Sequence, residues 1–139
     1  MVTKREPLYE SEMMAHAERM CMVLEKFRHQ DHYDLEDYLA MERALQVLVE
    51  SLIGMGRYVL KINCKLVLAK SGEVIDALFR HGLVSEQEHA ECRQMVGYRN
   101  VLVQDYLNIN PAITVAIVRE ARFDRVRGIV SALIVTLKP

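Results

Sequence analysis

The stretch "VGYRNVLVQDYLNINP", Val96 to Pro111, combines an apolar helical pattern with polar side chains that are unusual in a helix interior. The conspicuous ones are Arg99, Asn100, Gln104 and Tyr106. On a regular helix Arg99 and Tyr106 share one face, whereas Gln104 lies roughly 140° around the helix from Arg99. One regular helix therefore does not focus Arg99 and Gln104 on one atom, unless it distorts near its end or two copies build a shared cleft across a two-fold axis.

Helical periodicity continues on both sides of this stretch and predicts five helices. Their expected first residues or N-caps are Ser11, Asp34, Ser71, Ser85 and Asn110. Ser85 forms a capping box with Glu88, and Pro111 suits the first position of the fifth helix. Gly82 is the expected end of the third helix.

Two of the five helices are predicted to be long. The second runs roughly from Leu35 to Ile62, about 40 Å at about 1.5 Å per residue, and the fifth runs from Pro111 to about Leu137. Gly54 and Gly56 lie inside the second helix, where each costs about 1 kcal/mol relative to Ala, so close packing or a kink is expected there. The sequence therefore predicts an all-α bundle of five helices with two long antiparallel members, and residues 1–139 as a single domain.

Composition and charge exclude several classes of protein. Of the 139 residues, 51% are hydrophobic and 6% aromatic, which is typical of packed helices. Residues 1–50 hold six Lys or Arg against eleven Asp or Glu, a net charge of -5, and residues 51–139 hold twelve against eight, a net charge of +4. The total of -1 does not indicate a polycation that binds duplex DNA. No apolar run has the form of a signal peptide or reaches membrane-spanning length, and three separated cysteines indicate reduced thiols in a cytoplasmic protein.

The segment "YRNVLVQDYLNINP" resembles the signature of the HepT-like proteins, the minimal members of the HEPN superfamily. Their motif is Arg, four residues, His, one residue, Tyr, in a form like "RNxLVHxY". Arg99, Asn100 and Tyr106 match it, together with the apolar residues between them, but Gln104 stands at the position of the motif histidine. The resemblance continues in "AMERALQVLVESLIGMGRYVL" and "GEVIDALFRHGLVSEQEHAECRQMVGYRN", and it covers roughly residues 11–137.

The resemblance implies a homodimeric, metal-independent ribonuclease that is the toxin of a toxin–antitoxin pair and needs no cofactor. Its partner would be an MntA-like nucleotidyltransferase antitoxin that transfers AMP from ATP to Tyr106, whose hydroxyl is expected at the surface beside Arg99. Its substrate would be tRNA or mRNA. Arg99 can supply positive charge to a phosphorane-like transition state, and Asn100 can hydrogen-bond a phosphate or orient a neighbour.

Gln104 sets this chain apart from the family pattern. A carboxamide forms hydrogen bonds but does not titrate near neutral pH, so it cannot replace the proton transfer expected of a histidine. General acid–base catalysis typically contributes about 10²–10⁴-fold, and a loss of that order is expected. Two hypotheses follow: a HepT-like ribonuclease toxin with an impaired catalytic position, or a non-catalytic HEPN module that binds RNA or a partner protein.

Two further groups of residues have functional and plain structural interpretations. His29 and His32 in "HQDH" superficially suggest a metal site, but a solvated loop is the favoured interpretation, and no metal site is predicted. A basic series on the last helix consists of Arg119, Arg122, Arg125 and Arg127. It is either a phosphate track or a solvated face with partners such as Glu120 and Asp124, and the second interpretation is favoured.

Overall fold

The computed structural model describes residues 4–137, which form six α-helices and one short 3-10 helix. The α-helices are α1 (Pro7–Arg28), α2 (Leu35–Cys64), α3 (Ser71–Arg80), α4 (Glu86–Gln104), α5 (Pro111–Arg119) and α6 (Arg122–Val135). The 3-10 helix, Tyr106–Asn108, lies between α4 and α5. The predicted all-α class is confirmed, and the described residues contain no strand. The predicted domain limits, residues 1 and 139, lie outside the described residues.

The single fifth helix of the prediction is wrong, because that segment forms two helices. Ala121, between α5 and α6, has a left-handed backbone with φ 54° and ψ 34°. A residue with a Cβ pays roughly 1–2 kcal/mol for this conformation. The flanking Val118 and Phe123 are buried, so packing of both helices holds the break in place. No Gly or Pro marks it, and periodicity therefore did not reveal it.

The long antiparallel pair is α1 and α2, so the prediction that the fifth helix is the second long member is wrong. Near the start of α1, Glu10 accepts a hydrogen bond of 2.6 Å from the hydroxyl of Tyr58, which lies towards the end of α2. Further along α1, Met13 lies against Gly54, which precedes Tyr58 in α2. A Cβ on Gly54 would come within 2.8 Å of Met13 Cε and 3.3 Å of the Tyr9 hydroxyl. The close packing predicted at this glycine is confirmed.

The first helix begins earlier than predicted. Pro7 occupies its first turn and Glu6 is the N-cap residue, so the expected start at Ser11 is wrong. Pro is favoured at this position because it has a fixed φ and needs no amide donor. Ser11 instead lies within the helix, and its hydroxyl donates to the carbonyl oxygen of Leu8 at 3.1 Å.

A polar network fixes this early turn to α2. Arg5 donates two hydrogen bonds to the carboxylate of Glu10, at 3.0 and 2.6 Å. The backbone N–H of Glu6 donates to the hydroxyl of Tyr58 at 2.6 Å. The hydrogen bond from Arg5 is the main cause that lowers the pKa of Glu10. The network satisfies a buried carboxylate and joins the two long helices.

Other local predictions agree with the structure. Asp34 and Ser85 each form the N-terminal part of a complete capping box. The side chain of Asn110 accepts a hydrogen bond from the Ala112 backbone at 3.0 Å. Gly82, which follows α3, has a φ of 70°, a conformation that glycine adopts without steric cost.

Helix α2 runs through the middle of the core. Its buried residues pack against α1, α3 and α6, and the largest fully buried side chains are Leu24, Met41, Leu45, Leu48, Leu52, Ile53, Met55, Leu60, Ile75, Leu78, Met95 and Phe123. A Cβ on Gly56 would meet Val74 and Leu78 of α3 at 3.0 Å, so this glycine also permits close packing. Within residues 4–137, no helix is long and apolar enough to cross a membrane.

Candidate functional site

The site predicted from sequence lies at the C-terminal end of α4. The helix stays regular to Gln104, and the Asp105 backbone N–H then donates to the Val101 carbonyl at 2.9 Å. Asn108 donates through its side chain to Asp105 at 2.7 Å, which stabilises the short turn before α5. The helix was predicted to continue to the segment "NINP", near Asn108, and this end is wrong, because α4 already ends at Gln104 and Tyr106 lies in the 3-10 helix.

Arg99 is held by two neighbours. Its Nε donates to the carboxylate of Glu50 on α2, and one terminal nitrogen donates to Asn100 Oδ1 at 2.8 Å. The Arg99 side chain is 21% exposed and that of Glu50 is 46% exposed. Because Asn100 uses its oxygen towards Arg99, its amide nitrogen remains the donor that it can offer to a ligand. The structure therefore brings Arg99 and Asn100 together at the surface.

Gln104 is exposed at the last position of α4. Its side chain makes no hydrogen bond to another residue in the described part of the chain. Because α4 remains helical from Arg99 to Gln104, the two side chains leave it in directions about 140° apart. The helix does not distort to bring them together within one chain.

Tyr106 is half-exposed, and its hydroxyl forms a hydrogen bond to α2. The hydroxyl donates to Glu42 Oε1 at 2.8 Å. This hydrogen bond is the main cause that raises the pKa of Tyr106. A carboxylate acceptor favours the neutral phenol, because a phenolate would be repelled by the same carboxylate.

Two carboxylates and a second tyrosine near these residues were not predicted from the sequence. Glu42 and Glu50 lie on α2, where the apolar pattern drew attention to the core positions instead. Tyr98 is buried, and its hydroxyl is 2.7 Å from the Thr114 hydroxyl on α5. Burial raises the pKa of Tyr98 to about 12. The available signal was charge within "LAMERALQVLVES", but a single sequence does not say which charges face the motif.

The basic series on the last predicted helix is paired with protein groups. Arg119 donates to the backbone carbonyls of Gln30 and Asp31, on the loop before α2. Glu91 of α4 binds Arg122 at 3.1 Å and Arg125 at 3.6 Å. Arg127 binds Asp124 at 2.7 Å, as the structural interpretation expected. These contacts favour a structural role for the series over a phosphate track.

Metal and thiol chemistry have little support in the described residues. Within residues 4–137, no group of three or more His, Cys, Asp or Glu side chains could hold a metal ion, and this includes His29 and His32. Burial raises the pKa of both Cys21 and Cys92 to about 12. Thiols of this kind are poor nucleophiles because they hold their protons.

Apolar side chains surround the polar site. A shallow cleft beside Tyr106 is lined mainly by Leu35, Tyr38, Leu39, Leu107 and Pro111, with Glu42 in its wall. Leu35 is 73% exposed and Leu107 is 96% exposed. A second groove runs along α4 past Gly97 and Val101 towards Ile113 of α5. Exposed apolar surface of this kind is typical of sites that bind a partner or ligand.

The family model for the ribonuclease HepT-like proteins matches residues 11–133 of the chain. Among curated proteins, none matches it significantly. A tri-AMPylated Shewanella oneidensis HEPN toxin in complex with MNT antitoxin is a solved structure of similar fold, with a TM-score of 0.77, 19% sequence identity, and coverage of 88% of this chain and 96% of that one.

Two other solved structures have the same fold. A toxin–antitoxin complex with AMP-PNP gives a TM-score of 0.77, 18% identity, and coverage of 87% of this chain and 96% of that one. The cytosolic protein YutE from Bacillus subtilis, of unknown function, gives 0.76, 16% identity, and coverage of 94% and 89%. At these identities the likeness shows the all-α fold alone.

Proposed function

The chain belongs to the HepT-like ribonuclease family, and we propose that it is the toxin of a toxin–antitoxin pair whose RNA-cleavage site is impaired by Gln104. The observation that carries this proposal is the order Arg99, Gln104, Tyr106 at the exposed end of α4 and in the 3-10 helix that follows it. Arg99 and Asn100 form an anion-binding pair there, and Gln104 occupies the position that the family motif gives to histidine. The proposed RNA cleavage is metal-independent, so the side chains of this protein must supply the positive charge and the proton transfer.

Arg99 is suited to bind a phosphate in spite of its contact with Glu50. The pair is partly solvated, and exposed ion pairs contribute only about 0–1 kcal/mol. A phosphate oxygen can therefore replace the carboxylate at modest cost and gain charge-assisted hydrogen bonds from the guanidinium. Asn100, next to it, offers its amide N–H groups to a second oxygen.

Gln104 accounts for the impaired proton transfer. Cleavage of RNA without a metal needs a base for the 2′-hydroxyl and an acid for the leaving oxygen. The exposed carboxamide of Gln104 can hydrogen-bond either group but cannot exchange a proton with it at neutral pH. The expected deficit is about 10²–10⁴-fold relative to a histidine at this position.

We propose that the working form is a homodimer whose interface includes α4. Arg99 and Gln104 leave the helix on different sides. A second copy of the protein, related by a two-fold axis, is the simplest way to bring Arg99 of one protomer and Gln104 of its partner into one cleft. The exposed apolar residues near the end of α4 give such an interface its surface. Sedimentation equilibrium at micromolar concentration tests this proposal, and a monomer alone would contradict it.

Tyr106 is the proposed acceptor of AMP from an MntA-like nucleotidyltransferase. Its ring is half-exposed, and it is close in sequence to the anion-binding pair, so an added phosphate carries negative charge to the site where RNA would bind. The solved complexes of HEPN toxin with MNT antitoxin, one of them with a tri-AMPylated toxin, support this partner for a chain of the same family.

The test of Tyr106 is intact-mass analysis after incubation with the cognate nucleotidyltransferase, ATP and Mg²⁺. We expect one or more adenylyl groups on the wild-type chain and none on Tyr106→Phe. Tyr38→Phe is the matched control, because Tyr38 lines the same cleft, and it should be modified like the wild type. Modification that persists in Tyr106→Phe would exclude this acceptor.

A second candidate function is a non-catalytic HEPN module that binds RNA or a partner protein. Gln104 is the observation that favours it, because a chain that lacks the titratable group can still bind phosphate through Arg99 and Asn100. Fluorescence anisotropy with labelled RNA, together with analysis of the RNA on a gel, separates the two. Binding that depends on Arg99, with no cleavage even when a histidine is restored at position 104, would favour the module.

A further inference from the structure

Helix α2 supplies a carboxylate to the hydroxyl of Tyr106. Glu42 Oε1 accepts that hydrogen bond at 2.8 Å. Glu42 is only 8% exposed, although it belongs to a helix whose buried face is otherwise almost entirely apolar. Among the residues described, Tyr106 is its hydrogen-bonding partner, and no basic side chain forms a salt bridge with it. Burial of a carboxylate without a neighbouring cation is energetically costly. Stability alone therefore does not explain the position of Glu42 beside the Tyr106 phenol.

The residues around Glu42 leave Tyr106 as the hydrogen-bonding partner of its carboxylate. Apolar side chains of Leu39, Ile109 and Pro111 line the cleft around the pair. The nearby Tyr98 hydroxyl lies 2.7 Å from the Thr114 hydroxyl, so it already has a partner. Tyr106 is 48% exposed, six times as much as Glu42. An electrophile can therefore reach the phenol oxygen from solvent while the carboxylate stays on the protein side.

We propose that Glu42 is the general base that takes the phenol proton of Tyr106 when this residue accepts an adenylyl group. The proposal rests on the acceptor role of Tyr106 described above, and it adds a catalytic residue supplied by the modified chain itself. Glu42 contacts the reacting oxygen directly, which is the position that a general base must occupy.

The step balances without a further reactant. The phenol oxygen of Tyr106 attacks the α-phosphorus of ATP, and a new O–P bond forms. The bond between the α-phosphorus and the bridging oxygen breaks, and pyrophosphate leaves with the electron pair. The phenol proton passes to Glu42 Oε1 and then to solvent. The products are the tyrosyl adenylate, pyrophosphate and one proton.

A tyrosine is a neutral phenol at physiological pH, with an ordinary pKa of about 10, and it is a poor nucleophile until its proton leaves. The hydrogen bond to Glu42 raises the pKa of Tyr106 further, so a base is needed. General base catalysis typically contributes about 10²–10⁴-fold to such a step. Once the oxygen carries phosphorus it has no proton to donate, and its negative phosphate is repelled by Glu42.

The experiment compares initial rates of AMP incorporation into the wild type, Glu42→Gln and Glu36→Gln. The cognate nucleotidyltransferase, ATP and Mg²⁺ are supplied, and the product is measured by intact mass. Glutamine can still accept the hydrogen bond but is not a base. Glu36 is an exposed carboxylate on the same helix, so Glu36→Gln removes one charge without touching Tyr106. We expect a rate about 10²–10⁴-fold lower for Glu42→Gln at pH 7 and an unchanged rate for the control.

The pH dependence separates a base from a residue that merely holds the ring. Without Glu42 the reaction depends on phenolate, so the deficit of Glu42→Gln should shrink as pH rises towards the phenol pKa. A merely structural role would give a deficit that does not change with pH. Equal rates and pH profiles for Glu42→Gln and Glu36→Gln would overturn the proposal, and so would a pH-independent deficit.

Two controls keep the outcome decisive. If Glu42→Gln does not fold by circular dichroism, Glu42→Asp replaces it, because the shorter side chain draws the carboxylate away from the hydroxyl. A rate at least about tenfold lower is then expected, and an unchanged rate overturns the proposal. No modification of the wild type, or modification that persists in Tyr106→Phe, overturns the acceptor role itself. Modification at Tyr106 that does not need Glu42 overturns only the role of Glu42.

Discussion

Gly97 lies in the interior of α4, on the exposed face that continues past Val101 towards Gln104. A Cβ built at this position meets no other atom within 4 Å. The fold of one chain therefore gives no reason for glycine here, and glycine is unfavourable inside a helix because its backbone loses more conformational freedom on folding. We predict that Gly97→Ala stabilises the isolated chain.

The size of the effect follows from the helix and from the length of the chain. Ala is favoured over Gly in a helix interior by about 0.5–1 kcal/mol, and no steric clash opposes the gain. Unfolding entropies of about 2.1 cal/mol/K per residue, scaled to 139 residues, convert this into a rise of about 2–3 °C in Tm.

The assay is thermal unfolding followed by circular dichroism at two protein concentrations, one below and one above dimer formation. Gly54→Ala is the matched control, since it makes the same change in a helix interior where the new Cβ would lie 2.8 Å from Met13 Cε. The control should show no gain or a lower Tm. If α4 forms the dimer interface, the gain from Gly97→Ala should disappear at the higher concentration.

A lower Tm for Gly97→Ala at the concentration where the protein is monomeric would refute this reasoning. It would mean that the face of α4 around Gly97 is packed within one chain. A gain of equal size at both concentrations would leave the monomer argument intact but would contradict an interface at Gly97.

Three further predictions concern the fold and the proposed acceptor. The pKa of Glu10 is lowered in the folded state, so its pairing stabilises the protein above about pH 4.5, and this effect is lost as pH falls through the lowered value. In urea titrations from pH 7 to pH 3, the free energy of unfolding should fall less steeply with pH for Glu10→Gln than for the wild type. An equal fall in both proteins would contradict the network. Ala121→Gly should raise the free energy of unfolding by up to about 1 kcal/mol in the same assay, because glycine adopts a positive φ without steric cost. A lower free energy of unfolding would show that packing of the Ala121 methyl group outweighs the backbone strain. After adenylylation of Tyr106, amide hydrogen exchange in residues 105–110 should become faster, since the hydrogen bond to Glu42 is lost. Unchanged exchange would show that this hydrogen bond does not hold the segment in place.

Local signals in the sequence were sufficient for most helix boundaries. The capping boxes at Asp34 and Ser85 and the Asn110–Pro111 pair act through bonds within a few residues, so the sequence alone contains their cause. The break at Ala121 depends on how α5 and α6 pack on the core, and a residue with high helix propensity gives no sign of it. The early start of α1 depends on contacts of Glu6 and Glu10 with distant Tyr58.

The candidate site divides in the same way. Arg99, Asn100, Gln104 and Tyr106 were predicted from a contiguous motif. Helical spacing was enough to describe the relative directions of Arg99 and Gln104, but not that of Tyr106, which lies beyond the end of α4. Glu42 and Glu50 contact that motif from α2, across 64 and 49 residues of sequence. Their roles depend on how α2 and α4 face each other, which local periodicity does not determine.

The central claim is that Gln104 stands where a proton-transferring histidine would complete a ribonuclease site. Its most direct test is cleavage of tRNA and mRNA in EDTA by Gln104→His, with the wild type and the double variant Arg99→Ala/Gln104→His beside it. We predict that Gln104→His cleaves RNA about 10²–10⁴-fold faster than the wild type, with a pH dependence near the imidazole pKa, and that the double variant loses this activity. A Gln104→His chain that folds and dimerises but cleaves no RNA would contradict the account.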